Sequence, residues 1–189
     1  MKKINKTINF FTYDYPYEGN DSPFIEDEIK CLSNTFKKVR VIPIKKGKLL
    51  QKNFIKKNNI KYDFTLTNFF YSNSIFYILL NSLFSKFLWK EFFKAKFPFI
   101  FRKIFMIFKE NFYSEIVSTF IKQNSFDMKK DIFFSFWSNF ILISFYKLNI
   151  NNCFARTLGS DLNGFLINDY FVPFSQIKFK NLKFILILN

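Results

Sequence analysis

The chain contains no histidine among its 189 residues, and that absence removes more chemistry than any other single feature. Without an imidazole to accept the proton, neither a Ser–His nor a Cys–His nucleophile pair can be built. A zinc site is equally hard to assemble, since it draws on several Cys or His ligands. Cysteine is scarce too. Cys31 and Cys153 are the two present, and both read as small buried apolar side chains. So few thiols, with no signal-peptide pattern, give the expectation of a reducing, cytoplasmic setting. Glycine is limited to four residues and proline to five, and no Pro- or Ser-rich linker divides the chain, so residues 1–189 read as one domain.

Acidic residues are outnumbered: 14 Asp and Glu face 29 Lys and Arg, a formal charge of +15. An anionic partner follows, either nucleic acid or a lipid surface. Only Arg40, Arg102 and Arg156 are arginines, however, and no nucleic-acid reading module is recognisable, so no nucleic-acid partner is expected. Lysine in company with abundant Asn, Ile and Phe also matches a bias toward A/T-rich codons.

What is present is a βαβ pattern from Ile8 to Pro43. An apolar run (Ile8–Tyr13) leads into a polar loop (Asp14–Ser22), then a helix, then a second apolar run (Val39–Ile44). Ser22 suits the N-cap and Pro23 the first helical position, Glu26, Asp27 and Glu28 complement the helix dipole, and Phe24, Ile25, Ile29, Leu32 and Phe36 form an apolar stripe. This predicts an α/β fold with a parallel sheet flanked by helices, with Ile8 inside the sheet. Loops after the strands then gather at the carboxyl edge, where such folds bind ligands.

Further along, Lys45–Lys57 reads as a solvated basic loop with a short helix, and Tyr62–Thr67 as a third strand. The charge-free stretch Phe64–Ser85 approaches the length of a membrane span, but its Asn, Ser and Thr content favours a buried helix over Phe69–Leu88. Trp89–Phe112 interleaves cations with phenylalanines and should break at Pro98 into two helical pieces. It reads either as a membrane-interface segment, using Trp89, Lys90, Lys94, Lys96, Arg102 and Lys103, or as core-facing aromatics beside solvated lysines. Residues 69–112 would form a helical insertion. Asp131–Phe136 is then a strand, Trp137–Lys147 a helix and Cys153–Leu158 a last strand.

The segments FFTYDYPYEG and SPFIEDEIKCL, together with FFSFWSNF (Phe133–Phe140) and ARTLGSDLNGF (Ala155–Phe165), resemble the first domain of bacterial GT-B glycosyltransferases that build surface polysaccharides. The resemblance covers roughly a third of the chain, at the two ends of that domain. It implies a Rossmann-like, acceptor-side domain on the inner face of the cytoplasmic membrane, acting on a glycan or lipid-linked acceptor. The nucleotide-sugar donor would be held by a second domain or a separate donor-domain chain, with no metal or other cofactor needed here, and this chain alone would be inactive. Where the family motif carries a histidine, this chain has Leu158, which can neither transfer a proton nor hydrogen-bond.

The acceptor-side candidates are Tyr15, Glu18, Gly19 and Asn20 in the first loop, and Arg156, Gly159, Asp161 and Asn163 in the last. Gly19 lies between Glu18 and Asp21, whose charges would repel phosphate, so the first loop suits hydroxyls better. Arg156 and Asp161 either meet a ligand or pair with each other. A non-catalytic, basic, membrane-associated protein is the alternative reading.

Overall fold

The computed structural model describes residues 3–17, 22–48, 55–70, 75–93, 100–137, 139–156 and 174. Five parallel strands form one sheet in the order β3-β2-β1-β4-β5, where β1 is Ile4–Thr12, β2 Phe36–Pro43, β3 Ile60–Tyr62, β4 Ile132–Ser135 and β5 Cys153–Ala155. This is a Rossmann-like α/β fold flanked by helices. β1 pairs with β2 on one side and β4 on the other, and it is apolar on both faces, Ile8 and Phe10 buried on one and Phe11 on the other. Ile8 lies inside the sheet, 3% exposed, as its sequence context requires.

Alternation along β1 divides the core into two layers. Ile8 and Phe10 pack with Val39, Val41, Phe134, and Ile25 and Ile29 of α1 (Ser22–Thr35). Phe11 packs on the opposite face with Ile42, Phe133 and the apolar sides of α5 (Ile100–Gln123) and α6 (Phe140–Lys147). The capping roles of Ser22 and Pro23 lie outside the described side chains. Phe24 leaves the expected stripe and is exposed, and Phe36 opens β2 directly after the helix. The Asn59 amide clamps that sharp junction, donating to the Ser33 and Phe36 carbonyls at 2.7 and 3.0 Å. Cys31, expected in the core, is exposed, because it falls off the Ile25–Ile29 stripe; Cys153 is buried.

The third strand is shorter and earlier than Tyr62–Thr67. It ends at Tyr62, and α2 (Thr65–Phe69) begins almost at once, because the Asp63 carboxylate accepts the Thr65 amide at 3.0 Å and its hydroxyl. Thr67 then turns back onto the sheet and donates to the Pro43 carbonyl at 2.8 Å. The single buried helix expected over Phe69–Leu88 is instead the end of α2, then α3 (Ile75–Leu83) and α4 (Lys86–Phe92). Much of that surface faces outward: Phe76, Tyr77, Phe84 and Phe93 are exposed. Pro98 lies outside the described residues, but α4 and α5 are two separate helices on either side of it. No helix among the described residues is long and apolar enough to cross a membrane.

β4 lies within the expected Asp131–Phe136 and β5 starts at Cys153 as expected but ends at Ala155, Leu158 lying outside the described residues, while α6 starts at Phe140 rather than Trp137 because Asn139 caps it, its side chain accepting the Ile141 amide at 3.0 Å. The α5–α6 seam buries Lys147, whose ammonium donates to Asn111, Ser114 and Glu115 at 2.8, 2.6 and 2.7 Å. Burial pushes its pKa down, and Glu115 pulls it partly back.

Candidate functional site

The chain passes from one side of β1 to the other between β3 and β4, so the β1–β4 boundary is a topological switch point, where the carboxyl edge of an open parallel sheet leaves a crevice. A cavity of about 430 Å³ opens there, lined by Tyr13 beyond β1, Ile44 and Lys45 beyond β2, Asn139 and Phe140 beyond β4, and Phe70, Lys109, Glu110 and Tyr113. Backbone bonds set the rim: the Lys45 amide donates to the Tyr13 carbonyl at 2.8 Å, continuing the β1–β2 pairing past the strands. Tyr113 is held from below, with ring centroids 5.2 Å from Phe140 and 5.8 Å from Phe70.

Cations lie over both tyrosines. The Lys45 ammonium is 5.8 Å from the Tyr13 centroid and the Lys109 ammonium 6.0 Å from that of Tyr113. Aromatic rings offer flat apolar surfaces, while Lys45, Lys109, Glu110 and Asn139 supply donors and acceptors at the rim. Such a mixture fits the C–H faces and hydroxyls of a sugar, and the two lysines fit a nearby phosphate.

The residues expected at the site divide. Tyr15 is fully buried in the α1-side layer, its hydroxyl accepting the Ile55 amide at 3.4 Å, and so supports the fold rather than facing the crevice. Glu18, Gly19, Asn20, Gly159, Asp161 and Asn163 lie outside the described residues, as does Leu158. Arg156 does stand at the carboxyl edge, its amide donating to the Ser135 carbonyl at 3.1 Å. It faces Glu28 of α1, Nη1 to Oε2 3.7 Å. The guanidinium also lies 5.2 Å from the Phe136 centroid and 5.9 Å from that of Phe24.

Burial raises the Glu28 carboxyl from 4.5 to about 7, against the lowering effect of Arg156. A group whose pKa is raised on folding favours the folded state most below its unfolded value, and that advantage is lost as pH climbs through its folded value. Stability should therefore fall between about pH 4.5 and pH 7 on account of this residue. Glu28→Gln removes the charge, and at pH 8 is expected to stabilise the domain by on the order of 2 kcal/mol, with less change at pH 4.5. Denaturant titrations at the two pH values check this; equal effects at both would contradict it.

Of the residues expected at a membrane, Trp89 and Lys90 are exposed on α4. Lys94 and Lys96 lie outside the described residues, and Arg102 and Lys103 are on α5 with side chains outside them. Trp89 lies beside exposed Phe93, ring centroids 6.3 Å apart, and Phe76 and Tyr77 of α3, Phe84 between α3 and α4, Phe105 of α5 and Lys86 of α4 are exposed as well.

Comparison with known proteins yields no matching family model, no matching curated protein and no matching solved structure. Sequence reasoning missed Tyr13, Lys45, Lys109, Glu110, Tyr113 and Asn139 as site residues. Asn139 had a readable signal, a capping residue before the apolar run Phe140–Phe145. Tyr113 and Glu110 had none, since only the packing of α5 brings them to the strand ends.

Proposed function

We propose that this chain is the acceptor-side domain of a GT-B-type glycosyltransferase, which holds a glycan or lipid-linked glycan in the Tyr13–Tyr113 crevice while a second domain or chain brings the nucleotide-sugar donor. The observation that carries the reading is the crevice itself, with two tyrosines, two lysines, a carboxylate and an amide around about 430 Å³ at the switch point of a parallel sheet. The resemblance of the four segments quoted above supports the same assignment, and no residue described here is given the role of moving a proton or forming a bond. Each stacked ring contributes about 1 kcal/mol, so Tyr13→Ala with Tyr113→Ala should weaken binding of a membrane-extracted lipid-linked oligosaccharide roughly tenfold or more. Calorimetric titration measures it, and unchanged affinity would remove the crevice from the account.

Membrane attachment forms part of this reading. Exposed Phe84, Trp89 and Phe93, which alternate with Lys86 and Lys90 along and next to α4, match an interfacial surface, aromatics toward the acyl boundary and lysines at the headgroups. Each basic residue near an anionic surface contributes about 1 kcal/mol, so neutralising Lys90, Lys94, Lys96 and Arg102 should release the protein from anionic vesicles in sedimentation. Equal sedimentation of variant and wild type would count against it. The same surface favours a second reading, a basic membrane-associated protein without transferase function; vesicle binding with no glycan binding would select that one.

A further inference from the structure

We propose that the hollow at the amino edge of the sheet binds a phosphate group, carried by a phosphomonoester or a pyrophosphate. It lies at the opposite end of the strands from the crevice and does not rest on the glycan reading. The cavity is about 240 Å³ and is lined by Lys6, Lys37, Lys38 and Lys130, together with Asn5, Thr7, Asp127 and Asp131. These lysines are far apart in the sequence: Lys6 belongs to β1, Lys37 and Lys38 to the start of β2, and Lys130 precedes β4. The three strands are adjacent and parallel, so their entry points meet on one edge. Register keeps them level, since Thr7 pairs with Lys38, and Lys6 and Lys130 each stand two residues before the Ile8–Ile132 pair. Neighbouring strands are about 4.8 Å apart, which lets ammonium groups from all three reach one tetrahedral anion.

The two acids of the hollow are already engaged. Asp127 Oδ1 accepts the Lys129 and Lys130 amides at 3.2 and 3.0 Å, and Asp131 Oδ2 accepts from the Asn9 side chain at 3.2 Å. Asp127 also reaches the Lys130 ammonium at 3.8 Å, whereas Lys6, Lys37 and Lys38 have no acid partner among the described residues. Four lysines against two aspartates leave two positive charges, the complement of a phosphate dianion. Water or a neutral sugar would leave that charge uncompensated. A phosphate offers acceptors alone, which suits ammonium groups that can only donate, and lysine binds it as a point charge without a fixed approach. The volume falls below the roughly 300–1,000 Å³ of sites that enclose a whole small molecule, so the hollow takes the phosphoryl end of its ligand and leaves the remainder in solvent.

The test follows the amide resonances of the full chain during titration with inorganic pyrophosphate. Those of Thr7, Lys38 and Asp131 are expected to shift saturably. Lys37→Gln with Lys38→Gln should weaken that response about tenfold, because exposed ion pairs are individually weak and two are lost together. Lys30→Gln with Lys46→Gln removes the same charge from α1 and from beyond β2, and should change the affinity by less than about twofold, since distant exposed charges are screened. Equal loss in the two variants would reduce the effect to net charge and overturn the inference. Shifts confined to Tyr13 and Tyr113 would overturn it while leaving the crevice reading intact. Sedimentation with phosphatidylcholine vesicles containing phosphatidic acid separates the two sources of the phosphate: weaker sedimentation of the Lys37–Lys38 variant than of wild type assigns it to a lipid headgroup, and equal sedimentation beside a pyrophosphate shift assigns it to a free ligand. No response of the hollow to either would overturn the inference. A single-stranded oligonucleotide that shifts the same resonances at far lower concentration than pyrophosphate would make this edge a nucleic-acid surface and overturn it as well.

Discussion

Phe133→Ala is expected to destabilise the domain by about 3–5 kcal/mol, the usual cost of truncating a fully buried phenylalanine. Phe133 is 0% exposed and sits on β4 between Asn9 of β1 and Cys153 of β5. Its ring centroid is 6.4 Å from Phe11, 5.9 Å from Phe126 and 5.5 Å from Phe145. Those three rings belong to β1, the segment after α5, and α6, so closing the hole would require separate elements to shift together. Leucine keeps most of the volume, and Phe133→Leu should cost only about 1–2 kcal/mol. Chemical denaturation reads both, and an alanine variant losing less than the leucine variant would contradict this packing.

Asp63→Ala should be of similar severity, about 3–5 kcal/mol, because it strands a largely buried cation. Asp63 is 6% exposed; its carboxylate bonds Arg40 Nε at 2.6 Å and starts α2 through the Thr65 amide. Arg40 cannot simply turn to water, since its guanidinium lies 4.1 Å from the Phe126 centroid, beneath the loop before β4. Replacing both partners, Arg40→Met with Asp63→Leu, removes the stranded charge and should cost less than Asp63→Ala alone. Burial alone would raise the Asp63 carboxyl, but the Thr65 hydroxyl and amide and the Arg40 guanidinium outweigh it and hold the pKa below its ordinary 3.8. A depressed carboxyl stabilises the fold above its unfolded pKa and loses that effect as pH falls through the folded one. Wild type should therefore lose stability below about pH 3.8 more steeply than the double variant, as denaturation between pH 5 and pH 2 would show.

The centre of the sheet was legible because Ile8, Phe10 and Phe11 put apolar side chains on both faces, a pattern that suits an interior parallel strand. α1 was legible from its stripe, although the stripe overreached at Phe24 and Phe36. β3 was not. Its three residues carry a lysine between two half-buried side chains, and what ends it is a hydrogen bond from the Thr65 amide to Asp63, a detail of local geometry. The aromatic run over α3 and α4 misled in another way, because an apolar pattern says nothing about whether a neighbour covers it. Phe76 and Tyr77 are 68% and 69% exposed. As for the site, the carboxyl edge was foreseeable from the βαβ pattern, but the side chains lining it were not. Tyr15 lies two residues beyond Tyr13 and is drawn into the core, while Tyr113 reaches the crevice from the middle of a 24-residue helix.

The crevice is tested most directly by a crystal structure of this chain with a bound neutral oligosaccharide. A sugar ring lying against Tyr13 or Tyr113, with hydroxyls near Lys45, Glu110 or Asn139, is the predicted result. Sugar found instead in the lysine-lined hollow at the opposite edge of the sheet, beside Lys6, Lys37, Lys38 and Lys130, would contradict the account.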